Sequence, residues 1–399
     1  MTNPYKSYKM KLTTLSPVFI GSGEELNQGQ YVFDKETMTA KILDESKFAD
    51  FLIKHNLIDD YSNALLQNGT KINLKRWLEE KRIPLNSPIF SKIIPCKELT
   101  KKDRNTKKDR NTKKTTMANS LNSIKTFVTN SDNLAYIPSS SIKGAIRTAV
   151  CAYIVNRDKD KFSKEWLALK QALEKNDKRE TSAITKHIEK RCFNLIKYND
   201  KKEDNKDVFS ALIVGDSESI SKNKLYITTR LDCAVHNDKP SSMPMNLELV
   251  EPNTDIYFNL TINTGLSQYF SIEKIKTVLN FYTQQQIDNE IYEKLSEYLY
   301  RPDKISDNLS PNICLGGMTG YFSKNIIYSL APTKQEAVYA LRKFFANNFS
   351  KHKHLEYDND IAPHTIKAVK DNGNIVPLGW CNLSVEKEID VSDITNWNR

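Results

Sequence analysis

Alternating hydrophobic and polar residues open the chain. Over residues 9–20 the apolar side chains fall on one side of an extended backbone, since neighbouring side chains of a strand point to opposite faces. The apolar positions are Met10, Leu12, Val18 and Ile20, and the polar ones are Lys9, Lys11 and Thr13. This period of two predicts an opening β-strand, and the glycines within residues 21–24 predict a turn after it.

Shorter patterns predict the other elements of the first half. Two runs at residues 30–33 and 38–43 flank a polar turn and predict a β-hairpin. Helical spacing covers residues 46–81, and a strand is predicted at 121–129. A helix then begins after Ile137, and helical patterns continue as far as a charged turn. That first helix carries an apolar stripe at Ile142, Ala145, Ile146, Ala149, Val150, Tyr153 and Ile154.

A second block repeats the order of strands followed by helices. Strands are predicted over residues 208–263, a long helix over 272–300 and a further helix over 333–349, and a strand at 377–386 closes the chain. This order favours an α+β fold with antiparallel sheets over a parallel α/β sheet. We therefore predict two domains, residues 1–207 and residues 208–399.

Composition is that of a folded protein with an uneven distribution of charge. Hydrophobic residues make up 39% and charged residues 27% of the 399 positions, and the net charge is +10. Residues 97–114 hold nine Lys or Arg against three acids and include a tandem hexamer, KKDRNT. Residues 100–116 contain no hydrophobic side chain for a core, so a basic flexible loop is predicted over residues 97–118.

The six cysteines are scattered, with no C-x-x-C pair. This spacing indicates neither a zinc site nor a disulfide framework, and it favours buried thiols in a reducing compartment. No stretch has the apolar length of a membrane span, and the first residues lack the apolar core of a signal peptide. We expect a cytoplasmic protein with no membrane contact.

Two segments have features of a nucleic-acid site. Ser139, Ser140 and Ser141 predict an N-cap at a helix N-terminus, where an anion is favoured, and Lys143 and Arg147 share one face of that helix. An ordinary capped helix with a solvated basic side is an equally good interpretation of this pattern. The second segment is a glycine-rich turn at residues 315–324, in which Tyr321 and Phe322 offer stacking surfaces and Lys324 a charge.

Five strings of the sequence resemble those of RAMP-type CRISPR proteins, and they occur in the family's order. They are PVFIGSGEEL at 17–26, YIPSSSIKGAIR at 136–147, VGDSES at 214–219, LELVEPNT at 247–254 and LGGMTGYFSK at 315–324. In particular, the chain resembles the large RAMP subunit of the type III-A Csm effector complex that caps the crRNA at its 3′ end. The sequence departs from the family's Pro-Gly-Ser-Ser at residues 138–141, where the glycine is missing.

The resemblance implies two ferredoxin-like, RRM-related domains with helical insertions and a non-catalytic role in antiviral defence. It implies that the chain binds the 3′ segment of the crRNA, supports crRNA maturation, and assembles with the backbone RAMP subunit and other type III-A subunits. Contacts with target single-stranded RNA and with host nucleases stay open. The RNA-binding residues implied are Gly21, Gly23, Ser139, Ser140, Ser141, Lys143, Arg147, Gly316, Gly317, Gly320, Tyr321 and Lys324.

Candidate catalytic residues are few. Backbone subunits of the family that cut RNA carry an Asp shortly before the serine-rich helix, whereas residues 111–131 hold no acid here and Asp132 falls in a predicted turn. An alternative function is a metal-independent, crRNA-processing endoribonuclease that uses a histidine. His352 and His354 alternate with lysines, although a solvated loop at a helix end is the favoured interpretation.

Metal and cofactor binding are not expected. His352, His354 and His364 could chelate a cation, but no Cys or paired carboxylate completes a ligand set at a recognisable spacing, and basic neighbours repel a cation. Glu248 and Glu251 lie on a strand-like segment, where we expect them to meet a neighbouring basic surface.

Overall fold

The computed structural model of the protein describes residues 4–69, 72–99, 121–196, 206–266 and 268–389. Strands and helices are mixed along the chain, and most strand pairs are antiparallel, so the α+β class is confirmed. The strands are β1 (Tyr5–Thr14), β2 (Gly21–Leu26), β3 (Tyr31–Asp34), β4 (Thr39–Leu43), β5 (Phe90–Pro95), β6 (Ser123–Phe127), β7 (Asn194–Ile196), β8 (Lys206–Asp207), β9 (Leu212–Val214), β10 (Leu225–Ala234), β11 (Ser241–Val250), β12 (Asp255–Asn263), β13 (Ile313–Cys314), β14 (Thr365–Asp371), β15 (Asn374–Pro377) and β16 (Trp380–Ile389). The helices are α1 (Glu45–Lys54), α2 (Ile58–Asn68), α3 (Leu74–Glu80), α4 (Ser139–Arg157), α5 (Ser163–Glu174), α6 (Lys178–Phe193), α7 (Ile272–Ile287), α8 (Ile291–Lys294), α9 (Ile327–Leu330), α10 (Lys334–Asn348) and α11 (His354–Tyr357).

The first large sheet is built around β1. Its strand order is β13-β16-β1-β12-β9, and every pair in it is antiparallel. Met10 and Leu12 of β1 are buried in the largest core cluster, together with Ile142 and Ile146 of α4 and Leu279 of α7. The apolar stripe predicted for the helix after Ile137 therefore packs into this core.

The second large sheet has the order β15-β14-β10-β11-β6-β2. Its β6 and β11 are parallel, and its other pairs are antiparallel. Each large sheet contains strands from both sides of residue 208. A division into two RRM-like domains at that residue stays a prediction.

Several predicted elements are confirmed. The hairpin of β3 and β4 pairs Tyr31 with Ile42 and Asp34 with Thr39. Helices α1, α2 and α3 occupy the predicted helical region, and α10 begins after Thr333, whose hydroxyl accepts from the Glu336 backbone N–H at 3.3 Å. All six cysteines are free thiols, five of them buried and Cys314 half-buried.

Three predicted boundaries are wrong. The opening strand ends at Thr14, and the predicted turn at residues 21–24 belongs to β2, an exposed edge strand that pairs with β6. Its first five residues are exposed, so no alternation of apolar residues marks this strand in the sequence. The long helix ends at Ile287, where the backbone of Asp288 caps it, and α8 starts only at Ile291.

The predicted basic loop falls almost entirely outside the described residues, which stop at Leu99 and resume at Leu121. At its near end, Lys97 pairs with Glu251 and Glu98 accepts a hydrogen bond from the Gly373 N–H at 2.7 Å. Among the described helices, none combines the length and apolar character that a membrane span needs.

Candidate RNA-binding site

The start of α4 is held by residues 214–219, one of the strings that carry the family resemblance. Ser217 Oγ accepts from the Ile137 N–H at 2.8 Å, and Asp216 Oδ1 accepts from the Ser139 N–H at 2.7 Å. The predicted serine N-cap is wrong, because Pro138 is the N-cap and makes no side-chain capping bond. Asp216 already places a carboxylate at this positive helix end, where an anion was expected.

Lys143 and Arg147 both contact the protein itself. Lys143 Nζ donates to the Leu212 carbonyl oxygen at 2.6 Å, and burial is the main cause that lowers the Lys143 pKa. Arg147 Nη1 lies 2.8 Å from Asp207 Oδ2. The Arg147 guanidinium lies over the rings of Phe193 and Phe209, 4.0 Å and 5.1 Å from their centroids. An RNA contact by either side chain stays a prediction.

The glycine-rich loop approaches the backbone of Phe19, which follows β1. The Gly317 N–H donates to the Phe19 carbonyl oxygen at 2.6 Å, and a β-carbon on Gly316 would lie 2.1 Å from the same oxygen. A β-carbon on Gly21 would lie 3.1 Å from the Phe19 ring, so these three glycines meet around one residue. Close backbone approach at Gly316 and Gly317 is therefore made to the protein itself. Gly23 is exposed on β2, with a φ of +93° and open space around its α-carbon.

The far end of the same loop lines a cleft of about 930 Å³, which we call the histidine cleft. It lies between the loop, the ends of β10 and β14, α10 and the segment around α11. Gly320, Tyr321 and Lys324 border it, whereas Lys143, Arg147 and the three serines do not. Lys324 is exposed and Gly320 has a φ of +85°. The structure thus brings together three of the predicted residues in a concave surface.

The aromatic residues of the loop differ in accessibility. Phe322 is 6% exposed and packs in a core with a stacked Tyr328 ring, so the prediction that it offers a stacking surface is wrong. Tyr321 is half-buried against Phe344 and Phe345, and burial raises its pKa to about 12. Tyr321 is therefore held as a neutral phenol at the edge of the cleft.

Two basic residues, the buried Arg230 and the half-buried Lys367, lie at the floor of the histidine cleft. Arg230 on β10 is 8% exposed, and its Nη2 lies 3.1 Å from Asp232 Oδ2. Arg230 Nε makes no hydrogen bond within the described part of the chain. Lys367 on β14 lies opposite Asp232, and burial, followed by the charge of Arg230, lowers the Lys367 pKa. Five Lys or Arg side chains and one acid, Asp232, are among the residues that line the cleft, and this excess of positive charge favours an anionic ligand such as a phosphate.

Four of the six histidines also line the cleft: His236, His352, His354 and His364. His352 is exposed, but His354 is only 8% exposed, so the predicted solvated loop is wrong for His354. The His236 ring stacks on Tyr357 with centroids 3.8 Å apart, and burial is the main cause that lowers the His236 pKa. The cleft therefore combines Lys and Arg side chains with imidazoles.

Sequence patterns alone missed Arg230, Lys367 and His236. Arg230 and Lys367 are 137 positions apart and become neighbours only because β10 pairs with β14. Each lies within a strand, LYITTRLDCA for Arg230 and TIKAVKD for Lys367, where a basic residue with no charged neighbour on either side predicts only a solvated position. Glu248 and Glu251 do meet basic groups as expected, and these are Lys92 and Lys97 of the same chain.

Known proteins resemble the chain over most of its length. It is 26% identical over 330 residues to the CRISPR system Cms protein Csm5 of Streptococcus thermophilus, and the alignment covers 82% of each chain. It is 22% identical over 393 residues to Csm5 of Mycobacterium tuberculosis strain H37Rv, covering 97% of this chain and 100% of that one.

Solved structures share the fold. A chain in a cryo-EM structure of a Csm-crRNA-target RNA ternary complex of a type III-A CRISPR-Cas system has a TM-score of 0.62 at 18% identity, with 95% of this chain and 100% of that one covered. A crystal structure of T. onnurineus Csm5 has a TM-score of 0.53, also at 18% identity, with 93% and 99% covered. The RAMP superfamily model matches residues 11–321, from β1 to the glycine-rich loop. The chain belongs to the RAMP superfamily.

Proposed function

We propose that this protein is a non-catalytic, RNA-binding subunit of a type III-A CRISPR effector ribonucleoprotein in the cytoplasm. It binds and caps the 3′ segment of the crRNA and supports crRNA maturation and assembly of the complex. Its partners are the crRNA, the backbone RAMP subunit and other type III-A subunits. The relatives named Csm5, which it matches over most of its length, support this assignment.

The observation that carries the proposal is the composition of the histidine cleft. The glycine-rich loop supplies Lys324 at its rim, β10 and β14 supply Arg230 and Lys367 at its floor, and Asp232 is the one acid among the lining residues. Lysine and arginine contacts to phosphates give affinity for RNA without reading its sequence. A cleft of this size and charge fits one or two nucleotides of a single strand better than a duplex.

Native purification tests the assignment to the complex. Tagged protein isolated from its own host should carry short RNAs that share a 5′ tag, together with other type III-A subunits. A protein that emerges as a monomer free of RNA would remove the basis for the proposal.

Photo-crosslinking tests the position on the guide. In the assembled complex, crRNA with 4-thiouridine in its 3′ segment should crosslink to this subunit, and crRNA with the label in its 5′ tag should not. Crosslinks from the 5′ tag alone would place the subunit at the other end of the crRNA.

Salt dependence tests the cleft. Lys324→Ala should weaken binding to all single-stranded RNAs alike and flatten the log-log salt dependence by about 0.7, the value for one lost phosphate contact. Lys222→Ala changes an exposed lysine outside the cleft and serves as the matched control. Equal slopes for both variants and the wild type would show that RNA does not use this rim.

A ribonuclease is the second candidate function, because four histidines border the same cleft. Metal-independent cleavage of RNA requires an imidazole that can exchange a proton within hydrogen-bond reach of the reacting ribose. We expect the purified protein to bind single-stranded RNA in EDTA without cutting it above background. Cleavage that disappears in His352→Ala or His354→Ala would establish the ribonuclease instead.

A further inference from the structure

Two histidines and one aspartate converge at the end of α11. His354 opens the helix, Asp358 follows its last residue, and His364 immediately precedes β14. Asp358 Oδ2 lies 2.9 Å from His354 Nδ1, and Asp358 Oδ1 contacts His364 Nδ1. One ligand atom from each of the three residues can be chosen so that all lie within 4.8 Å of one another. The spacing His-x3-Asp-x5-His joins them within one short segment.

Burial makes this cluster unusual among the charged groups of the chain. Asp358 is 0% exposed, and His354 and His364 are 8% and 5% exposed. Among the described residues, the ion-pair partners of Asp358 are these two histidines and no Lys or Arg. A carboxylate removed from water is costly unless a positive charge compensates it. A cation bound between Asp358 and the two histidines would supply that charge.

We propose that His354, Asp358 and His364 bind a zinc ion. Two imidazole nitrogens and one carboxylate oxygen are a common set of three protein ligands for Zn²⁺, which binds each at about 2.0–2.2 Å. All three residues are brought within reach by the fold, and both histidines line the cleft, so a water from the cleft completes a tetrahedral site.

Nitrogen ligands select zinc over calcium and magnesium, which prefer all-oxygen sites. Basic residues nearby do not exclude the cation, because the closest in sequence, Lys353, pairs with Glu356 at 3.1 Å. Asp358 was not recognised from the sequence as a ligand because a single acid between two histidines has no established zinc spacing.

The site would act on the RNA cleft through packing. The His354 ring stacks on Phe345 with centroids 4.9 Å apart, and Phe345 contacts the Tyr321 ring of the glycine-rich loop at 4.9 Å. Zinc bound here therefore fixes the segment of α11 against β14 and supports one wall of the cleft. This is a structural role, and it does not require RNA to be bound.

Metal content and metal affinity test the proposal directly on the full chain without RNA. Protein stripped with EDTA and dialysed against Zn²⁺ should retain about one equivalent by elemental analysis. Saturating Zn²⁺ should raise its melting temperature by at least about 2 °C. Co²⁺ in place of Zn²⁺ should give the visible absorption of a tetrahedral nitrogen and oxygen site.

Ligand variants locate the site. His364→Gln and Asp358→Asn should each weaken Zn²⁺ binding at least about tenfold, whereas His187→Gln, an exposed histidine on α6, should bind like the wild type. Circular dichroism in the absence of metal verifies that each variant is folded. If one of these ligand variants does not fold, His354→Gln is used in its place. Less than about 0.1 equivalent of zinc on the wild type, or equal affinity in folded ligand variants, would overturn the proposal. Neither result depends on the RNA assignment.

Discussion

Arg147 combines packing and charge in one side chain. Its guanidinium lies over two buried phenylalanine rings and also pairs with Asp207. Arg147→Ala removes both, so we expect the free energy of unfolding to fall by about 1 kcal/mol. Urea denaturation measures the change, and Arg179→Ala, an exposed arginine on α6, is the control that should change little. If Arg147→Ala leaves stability intact and flattens the RNA salt slope, the side chain serves RNA instead.

Two glycines of the same loop should differ in what they tolerate. Gly316 and Gly320 both have a positive φ, of +88° and +85°. A β-carbon on Gly316 would strike the Phe19 carbonyl oxygen, whereas a β-carbon on Gly320 meets nothing within 4 Å. We expect Gly316→Ala to destabilise the protein by roughly 3 kcal/mol, and Gly320→Ala by about 1–2 kcal/mol from backbone strain alone.

The functional readout separates the two glycines again. Gly320 lines the histidine cleft, so Gly320→Ala should also reduce RNA affinity at a temperature where the variant is fully folded. Equal losses of stability in the two variants would mean that the close approach of Gly316 to Phe19 adds nothing to the cost of a β-carbon at residue 316.

Single residues show where a sequence pattern is sufficient and where it is not. The glycine-rich loop was predictable because glycines at close spacing favour positive φ, and both Gly316 and Gly320 adopt it. The partner of Gly316 was not, because Phe19 lies 297 positions away. Similarly, the capping acid of α4 is Asp216, which no local pattern around the three serines could reveal.

At the scale of elements, the hairpin of β3 and β4 contains a half-buried ion pair. Asp34 and Lys41 lie 3.0 Å apart with side chains only 13% and 12% exposed. Burial alone would raise the pKa of Asp34, but hydrogen bonds from Lys41 and Thr37 outweigh burial and lower it to about 2. The folded pKa thus lies below the ordinary value of 3.8, so the ion pair stabilises the fold above that pH and is lost as pH falls toward 2.

Replacing the acid tests this sign. Asp34→Asn should destabilise the protein by about 2 kcal/mol at pH 7 and by about half as much at pH 3. Chemical denaturation at the two pH values gives both numbers, and Asp132→Asn, on an exposed turn, is the matched control. A loss of the same size at both pH values would show that the hairpin does not depend on the charge of Asp34.

Elements were predicted well where they carry a core and poorly at their margins. The stripe of α4 and the alternation of β1 reflect burial, and both elements are present. The glycines and serine of β2 carry no such signal, because they are exposed. Backbone pairing with β6 holds the strand, together with the contacts of Ser22 with Thr126 and of Glu25 with Lys125. The pairing of β10 with β14 was likewise not predictable, because the two strands are more than a hundred residues apart in the sequence.

At the scale of the whole molecule, the strings that carry the family resemblance meet in space. The segment around Val18 pairs with Val250, and Phe19 accepts from Gly317, so residues 17–26, 247–254 and 315–324 adjoin one another. Residues 214–219 hold the start of α4 in the same way. Contacts among these strings therefore hold the glycine-rich loop in its position beside the histidine cleft.

Net charge at this scale is concentrated in one segment of the sequence. Deleting residues 101–114 removes eight basic and two acidic residues, a net +6, which lowers the net charge of the chain from +10 to +4. These residues lie outside the part of the chain that the structure describes, and they include no hydrophobic side chain. We therefore expect an unchanged melting temperature but weaker binding to single-stranded RNA at low salt, since long-range attraction is screened as salt rises.

The salt dependence decides how the segment acts. If its lysines and arginines contact phosphates, each lost contact should flatten the log-log salt dependence by about 0.7. A scrambled version of residues 101–114 keeps the charge and is the matched control, which should bind like the wild type because phosphate contacts read no order of residues. A fall in melting temperature on deletion would show that the segment packs against the body. Loss of RNA affinity in the scrambled protein would show that the order of residues 101–114 matters, and not their charge alone.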